Sequence, residues 1–504
     1  MTDTPVTHPR QPEPAHPSEP ARPSEPARPS EPARPTGTDL HLDLPATGGR
    51  RAALMAALRE AIRSGRLAPG TRLPPYRSLA ADLGLARNTA AEAYAELVAE
   101  GWLTARQGSG TTVAERAEPM PTARARRPSV RPGPVHDLRQ GQPDAASFPR
   151  SAWLAAGRRA LTVAPNEAFG PGDPQGRREL RTALADYLAR VRGVRTDPDR
   201  IVVCSGFAHA LRLLFDGARA VLPAATNGPL AVEGYGLAFH RALLAGAGVT
   251  TVPLPLDEDG AGVGALADRP DVRTVLLTPA HQFPTGGPLH AARRAAIVDW
   301  ARGRGGLVLE DDYDGEFRYD RQPVGAVQGL DPERVVYLGT ASKSLSPALR
   351  LGWMVLPDHL VDRVLAAKGE REGWASALDQ LTLAEFIDSG SYDRHVRRMR
   401  RRYRDRRDRL VAALAAGAPH IAVSGIAAGL HAVLRLEPGT ERSVLKAAAY
   451  RGLAVDGLAD YRHPALAAEA MPAADGLVVG YATPPDHAYP AALAALCDIL
   501  PPPA

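Results

Sequence analysis

The chain has 504 residues, 44% of them hydrophobic, a formal net charge of +5 and two cysteines. That length holds more than one domain and a sizeable core, and Cys204 and Cys497 are too few for a disulfide framework, which points to a reducing cytosol. No stretch approaches eighteen unbroken apolar residues and the N-terminus has no apolar h-region, so neither a membrane span nor a secretory leader is expected.

Residues 1–45 are predicted to form a disordered, fairly extended tail. Pro17 to Arg34 is three copies of Pro-Ser-Glu-Pro-Ala-Arg. Proline at this density blocks helix and sheet ladders alike. Its alternating charges leave no apolar face to bury.

A first folded domain is expected over residues 46–115. Ala53, Leu54, Ala57, Leu58 and Ile62 fall on one helical face. Pro69-Gly70 turns the chain. A short second helix is predicted from about Pro75 to Leu83, broken by Gly84, and a third from about Asn88 to Glu100, with Gly101 just past its end. Trp102 to Ala105 and Thr111 to Val113 flank Gln107-Gly108-Ser109-Gly110, which reads as a hairpin with a Gly-rich turn. Helix, helix, helix, hairpin is the order of a winged helix-turn-helix. A recognition helix uses its N-terminal residues against base edges, so Arg87, Asn88 and Thr89 are candidate DNA contacts, Arg87 suiting guanine. Arg77 at the second helix start is a candidate backbone contact, and Arg106 and Gly108 are candidate wing contacts.

These segments resemble the GntR family of regulators. The matching words are Leu73-Pro74-Pro75-Tyr76-Arg77-Ser78-Leu79-Ala80, Leu83-Gly84-Leu85-Ala86-Arg87-Asn88-Thr89, Ala93-Tyr94 and Gly108-Ser109-Gly110-Thr111. The chain departs from that pattern at Ala86, where serine is usual, and at Pro75-Tyr76. The resemblance implies double-stranded operator DNA as a partner.

Residues 116–135 read as a proline- and arginine-rich linker. From 136 to 504 short apolar runs alternate with amphipathic helices. Ile201-Val202-Val203, Ala231-Val232, Val275-Leu276-Leu277, Leu307-Val308-Leu309 and Val335-Val336-Tyr337-Leu338 read as buried strands. The fold class is therefore α/β, with a mostly parallel sheet covered by helices.

This domain has the parts that pyridoxal phosphate (PLP) needs: an amine for the aldehyde, a carboxylate for the pyridine nitrogen, donors for the phosphate and an aromatic face. Lys343 follows a strand among hydroxyls and small residues and is the Schiff-base candidate. Asp311 ends a strand, where an open α/β sheet presents groups to ligands. Asp312 and Asp314 compete with it on sequence alone. Tyr313 is a candidate for the phenolic oxygen. Ser205, Gly206 and Phe207 lie in a strand-to-helix turn suited to phosphate, with Thr340 and Arg350 to complete the phosphate shell. Tyr235 is a candidate for stacking on the ring, although the proline and spacing usual before it are missing. No group of residues has metal-ligand spacing, so no metal is expected.

Gly172-Asp173-Pro174-Gln175-Gly176, Thr278 to Gly286, Glu310 to Arg318 and the Lys343 segment occur in order, and together they resemble fold-type I aminotransferases and, with the head, the MocR subfamily of GntR regulators. The resemblance implies an aminotransferase-like PLP-binding domain, a Schiff base at Lys343, Asp311 at the ring nitrogen, Tyr313 at the phenolic oxygen, Arg350 at phosphate, a head-to-tail homodimer and transcriptional control in the cytoplasm.

Two features qualify this reading. Many aminotransferases hold a substrate carboxylate with an arginine near the C-terminal end, and the strand Gly476 to Tyr481 has none; Arg462 is out of register for the role. The run Arg394 to Arg409 is the most basic stretch, read as a solvated helix or as an auxiliary DNA or interdomain contact. The expected function is a PLP-dependent regulator sensing an amine, an amino acid or PLP itself. Its rival is a working aminotransferase with an autoregulatory head.

Overall fold

The structure, a computed structural model, describes residues 42, 44, 49–106, 110–115, 134–170, 172–223, 227–319, 325–369 and 375–503. The chain divides into two compact units, residues 1–131 and 132–504. Gly108 and nearly all of the expected tail and linker lie outside the described residues.

The first unit has helices α1 (Arg50–Arg63), α2 (Tyr76–Asp82) and α3 (Arg87–Ala99), then strands β1 (Leu103–Arg106) and β2 (Gly110–Val113). The strands pair antiparallel, Leu103 opposite Val113 and Arg106 opposite Gly110. Leu54, Leu58 and Ile62 of α1 pack with Leu79, Ala90, Leu97 and Val113 in one core. The Tyr94 hydroxyl donates to the Pro74 carbonyl at 3.0 Å and so pins the entry to α2 against α3. Helices α2 and α3 begin within one residue of the positions read from proline and periodicity.

The second unit centres on a seven-stranded sheet. Its spatial order is Ile201–Cys204, Gly352–Val355, Val335–Thr340, Leu307–Asp311, Thr274–Leu277, Leu230–Glu233 and Thr251–Leu254. Gly352–Val355 runs antiparallel to both neighbours; the other neighbouring pairs are parallel. All five apolar runs expected as strands lie in this sheet, covered by helices such as Phe207–Phe215 and Ala291–Arg304. A smaller four-stranded sheet includes His431–Arg435 and Gly476–Gly480. The helix Ser391–Gly417 buries Tyr392, His395, Val396, Met399 and Tyr403 along one face.

Buried polar groups fix the sheet where it matters. Glu310 accepts the backbone N–H groups of Val327 and Gln328, both at 2.9 Å. Arg192 holds Asp312 through two hydrogen bonds of 2.6 and 3.0 Å, and Tyr337 donates to the same carboxylate at 2.8 Å. The backbone alternation of the Leu307–Asp311 strand thus sends Glu310 and Asp311 to opposite faces.

Candidate functional site

A cavity of about 220 Å³ lies at the carboxyl ends of the parallel strands, the position an open α/β sheet reserves for ligands. Lys343, Asp311, Tyr313, Ser205, Gly206, Phe207, Tyr235, Thr340 and Arg350 all line it. They come from five separate segments, so their convergence is a product of the fold.

Of the three neighbouring aspartates, Asp311 alone lines this cavity. Asp312 is committed to Arg192 and Tyr337, and Asp314 lies 2.9 Å from His281 Nδ1. Among the described residues Asp311 has no hydrogen-bond donor; burial, and next the Asp312 charge, push its carboxyl well above the usual carboxylate range. A desolvated acid without a partner, facing a cavity, marks a place suited to a cation. Lys343 is half-buried, and desolvation draws its amine below the usual lysine range, against the pull of Asp314 and Asp311. A lowered amine pKa keeps more of the nucleophilic free base. Its Nζ donates to the Gly141 carbonyl.

The far end of the cavity suits an anion. Helix Phe207–Phe215 starts there with no side-chain cap, which leaves the N–H groups of its first turn without intrahelical acceptors. Gly206 has φ +109°, a region open chiefly to glycine. Gly352 on the neighbouring strand must also lack a side chain, because a Cβ there would sit 2.7 Å from Gly206 Cα. Arg350 is the one described non-glycine residue with positive φ, at 52°. It is exposed at the cavity and has no acidic partner among the described residues. Left-handed backbone at a ligand-facing arginine is strain of the kind that function retains. The Ser205 N–H is already used: it donates to His209 Nδ1 at 3.1 Å.

Tyr313 lies with its hydroxyl 3.0 Å from His281 Nδ1. Tyr235 is 1% exposed, and its buried hydroxyl has no partner. An unpartnered carboxyl, an unpaired arginine, an uncapped helix start and an orphaned phenol around a half-buried lysine form a donor and acceptor set that fits PLP.

In the first unit α3 begins at Arg87, followed by Asn88 and Thr89, and Ala86 supplies no side-chain cap. The first-turn N–H groups of α3 therefore stay available to phosphate. Arg77, Arg87 and Arg106 are exposed. Arg72 is an addition that sequence reasoning missed; its guanidinium lies 3.0 Å from where a Cβ on Gly110 would stand, against the base of the wing.

Residues 50–113 match the model of the bacterial regulatory proteins, gntR family, and residues 134–457 match aminotransferase class I and II. The HTH-type pyridoxine biosynthesis transcriptional regulator PdxR of Corynebacterium glutamicum is 34% identical over 411 residues, 81% of this chain and 88% of that protein. The probable rhizopine catabolism regulatory protein MocR of Rhizobium meliloti is 34% identical over 468 residues, 88% of this chain and 92% of that protein. The chain belongs to the MocR-type GntR regulators. An archaeal alanine:glyoxylate aminotransferase superposes on the fold with a TM-score of 0.64 at 23% identity, covering 72% of this chain and 90% of that one. Among the described residues no helix is long and apolar enough to cross a membrane.

Several cavity residues of this MocR-type chain carried no clear signal in the sequence. Glu233 ends its strand as Asp311 does, which a search for strand-terminal carboxylates would have found; burial raises it to about 7 although Thr278 and Gln282 donate to it. His240 stacks on Phe207 with ring centroids 4.6 Å apart, and burial lowers it to about 4, so it stays neutral. Gln282 spends its amide on Glu233, Tyr235 and Phe283, a structural role. Arg462 does not line the cavity; it donates to the carbonyls of Leu466 and Met471. Arg241 lines it, but the carbonyls of Gly236, Tyr461 and Arg462 occupy its guanidinium.

Proposed function

We propose that the protein is a PLP-binding transcriptional regulator that senses an amine, an amino acid or PLP itself through the Lys343 cavity. The observation that carries this is the unpartnered, desolvated Asp311 carboxyl in the cavity with Lys343, in a chain that also presents an uncapped, arginine-led recognition helix. Lys343 Nζ is the amine that would take the cofactor's aldehyde. Asp311 would keep the ring nitrogen protonated, Tyr313 would bond the phenolic oxygen and Tyr235 would lie on the ring. Phe207 N–H, Ser205, Thr340 and Arg350 would hold the phosphate. When bound, PLP supplies an electron sink and an electrophilic carbon for amines.

The protein's residues favour sensing over turnover. The arginines that line the cavity are Arg241, tied to three carbonyls, and Arg350, at the phosphate end. No free cationic clamp is left among them for a substrate carboxylate, and orientation is a large part of an efficient rate. The Lys343 loop is instead held to helix Ser391–Gly417. Tyr392 donates to Ser344 Oγ at 2.7 Å, and His395 Nε2 lies 2.7 Å from the Ser344 carbonyl. A ligand that shifts this loop can bias the helix, which is what a population shift requires.

The test is operator binding by ligand-free, PLP-loaded and amine-treated protein, run beside an amino-donor and keto-acid screen. Coupling of about 1–3 kcal/mol is expected between the cavity and the DNA. Equal affinities in all three states together with sustained turnover would leave the aminotransferase reading instead.

A further inference from the structure

The exposed face of helix Ser391–Gly417 is unusual for a helix that only needs solvent. Arg394, Arg397, Arg398 and Arg401 are all exposed. At 100° per residue they share one stripe, and they lie within about 10 Å along the axis. Each is three or four residues from two others, and like charges at those spacings destabilise a helix. Arg394 also sits in the first turn of the helix, where the dipole disfavours a cation.

Neighbouring acids do little to relieve this. Asp393 is turned away to Arg190, which it meets at 2.8 Å. Asp486 is taken by Arg406 and Arg402. Among the described residues Arg394 and Arg398 bond only Ser391 Oγ and His395 Nδ1. Among the described residues Arg397 and Arg401 have no hydrogen bond and no ion pair. The stripe borders a groove of about 510 Å³ whose acidic lining residues are Asp405 and Asp486.

We propose that this arginine stripe is a second DNA-binding surface, contacting the phosphate backbone outside the sequence read by the winged helix. The inference rests on the regulatory reading above. A repulsive cationic row without structural return fits a polyanion, and duplex DNA offers one charge per roughly 1.7 Å of axis. The head already brings DNA to this chain. The eighteen residues 116–133 that join the units can span at most about 60 Å, which keeps head-bound DNA at high local concentration. The stripe also connects to the cavity: Arg398 bonds His395 Nδ1 at 3.0 Å while the opposite nitrogen faces the Ser344 carbonyl. The neutral His395, lowered to about 4 by burial, can accept at Nδ1 and donate at Nε2 at once. DNA on the stripe and the Lys343 loop thus share one hydrogen-bonded path.

The experiment uses the full-length protein and mixed-sequence duplexes of 15 and 45 base pairs, with affinity measured from 50 to 200 mM salt. Arg397→Ala/Arg401→Ala is expected to lower the salt slope on the long duplex by about 1.8, two contacts at about 0.9 each. Relative to wild type, the affinity loss should then be about twelvefold greater at 50 mM than at 200 mM. The short duplex should show little change. Arg397→Lys/Arg401→Lys should restore the slope, because a phosphate accepts a point charge. Far-ultraviolet circular dichroism and PLP content keep misfolding out of the comparison. Equal slopes for wild type and the alanine variant on the long duplex would overturn the proposal and leave the stripe to a protein partner. If wild type binds neither duplex nor promoter fragments, the regulatory reading itself fails.

Discussion

Replacing Asp311 with asparagine separates two consequences of one buried charge. In the ligand-free protein the Asp311 carboxyl is held well above its usual range by burial and then by Asp312. A group whose folded-state pKa is raised supports folding below its unfolded value, about 3.9, and that support is lost as pH rises toward the folded value. At pH 8 the ligand-free protein therefore carries a desolvated carboxyl without a donor, a cost that stays at or below about 1–3 kcal/mol because the group faces an open cavity. Asparagine has nearly the same shape and no charge. Asp311→Asn should stabilise the ligand-free protein by about that amount at pH 8 and by much less at pH 4, read as a shift in denaturant midpoint. PLP binding should move the other way. Losing one partner of a buried charge pair costs about 2–5 kcal/mol, roughly 30- to 5,000-fold in Kd, measurable by equilibrium dialysis. If Asp311→Asn binds PLP as tightly as wild type and gains no stability at pH 8, Asp311 does not face the ring nitrogen.

Lys343→Ala should abolish borohydride-dependent retention of PLP, and peptide mapping of the wild type should place the label on Lys343. Because desolvation lowers the Lys343 pKa, PLP capture should accelerate with pH and level off below the range of an ordinary lysine, as stopped-flow absorbance would show. Gly352→Ala would bring a Cβ within 2.7 Å of Gly206 Cα, and overpacking of about 1–3 kcal/mol should weaken PLP more than unphosphorylated pyridoxal in parallel titrations. Arg87→Ala should cost about 1–3 kcal/mol at the specific operator and relax base preference, whereas Arg77→Ala should weaken all duplexes alike in a mobility-shift series.

Much of this protein could be read in one dimension because its signals are local. Proline, glycine and 3.6-residue periodicity placed α1, α2 and α3, and short apolar runs placed five of the seven strands of the large sheet, since helix starts and buried strands depend on neighbours in sequence. The Lys343 segment and the Ser205-Gly206-Phe207 turn stood out for the same reason: each is a contiguous word, and the fold brings both to one cavity. What sequence left open was which way side chains face. Asp311 was the candidate from its place at a strand end, and Asp312 and Asp314 competed with it until the Arg192 and Tyr337 hydrogen bonds committed Asp312 elsewhere. Arg462 was a candidate clamp until the fold surrounded it with carbonyls. Glu233, His240 and the link from Arg398 through His395 to the Lys343 loop join residues dozens to hundreds apart. Only packing brings them together, because burial and hydrogen bonding are decided by distance in space, and a linear pattern does not carry that distance.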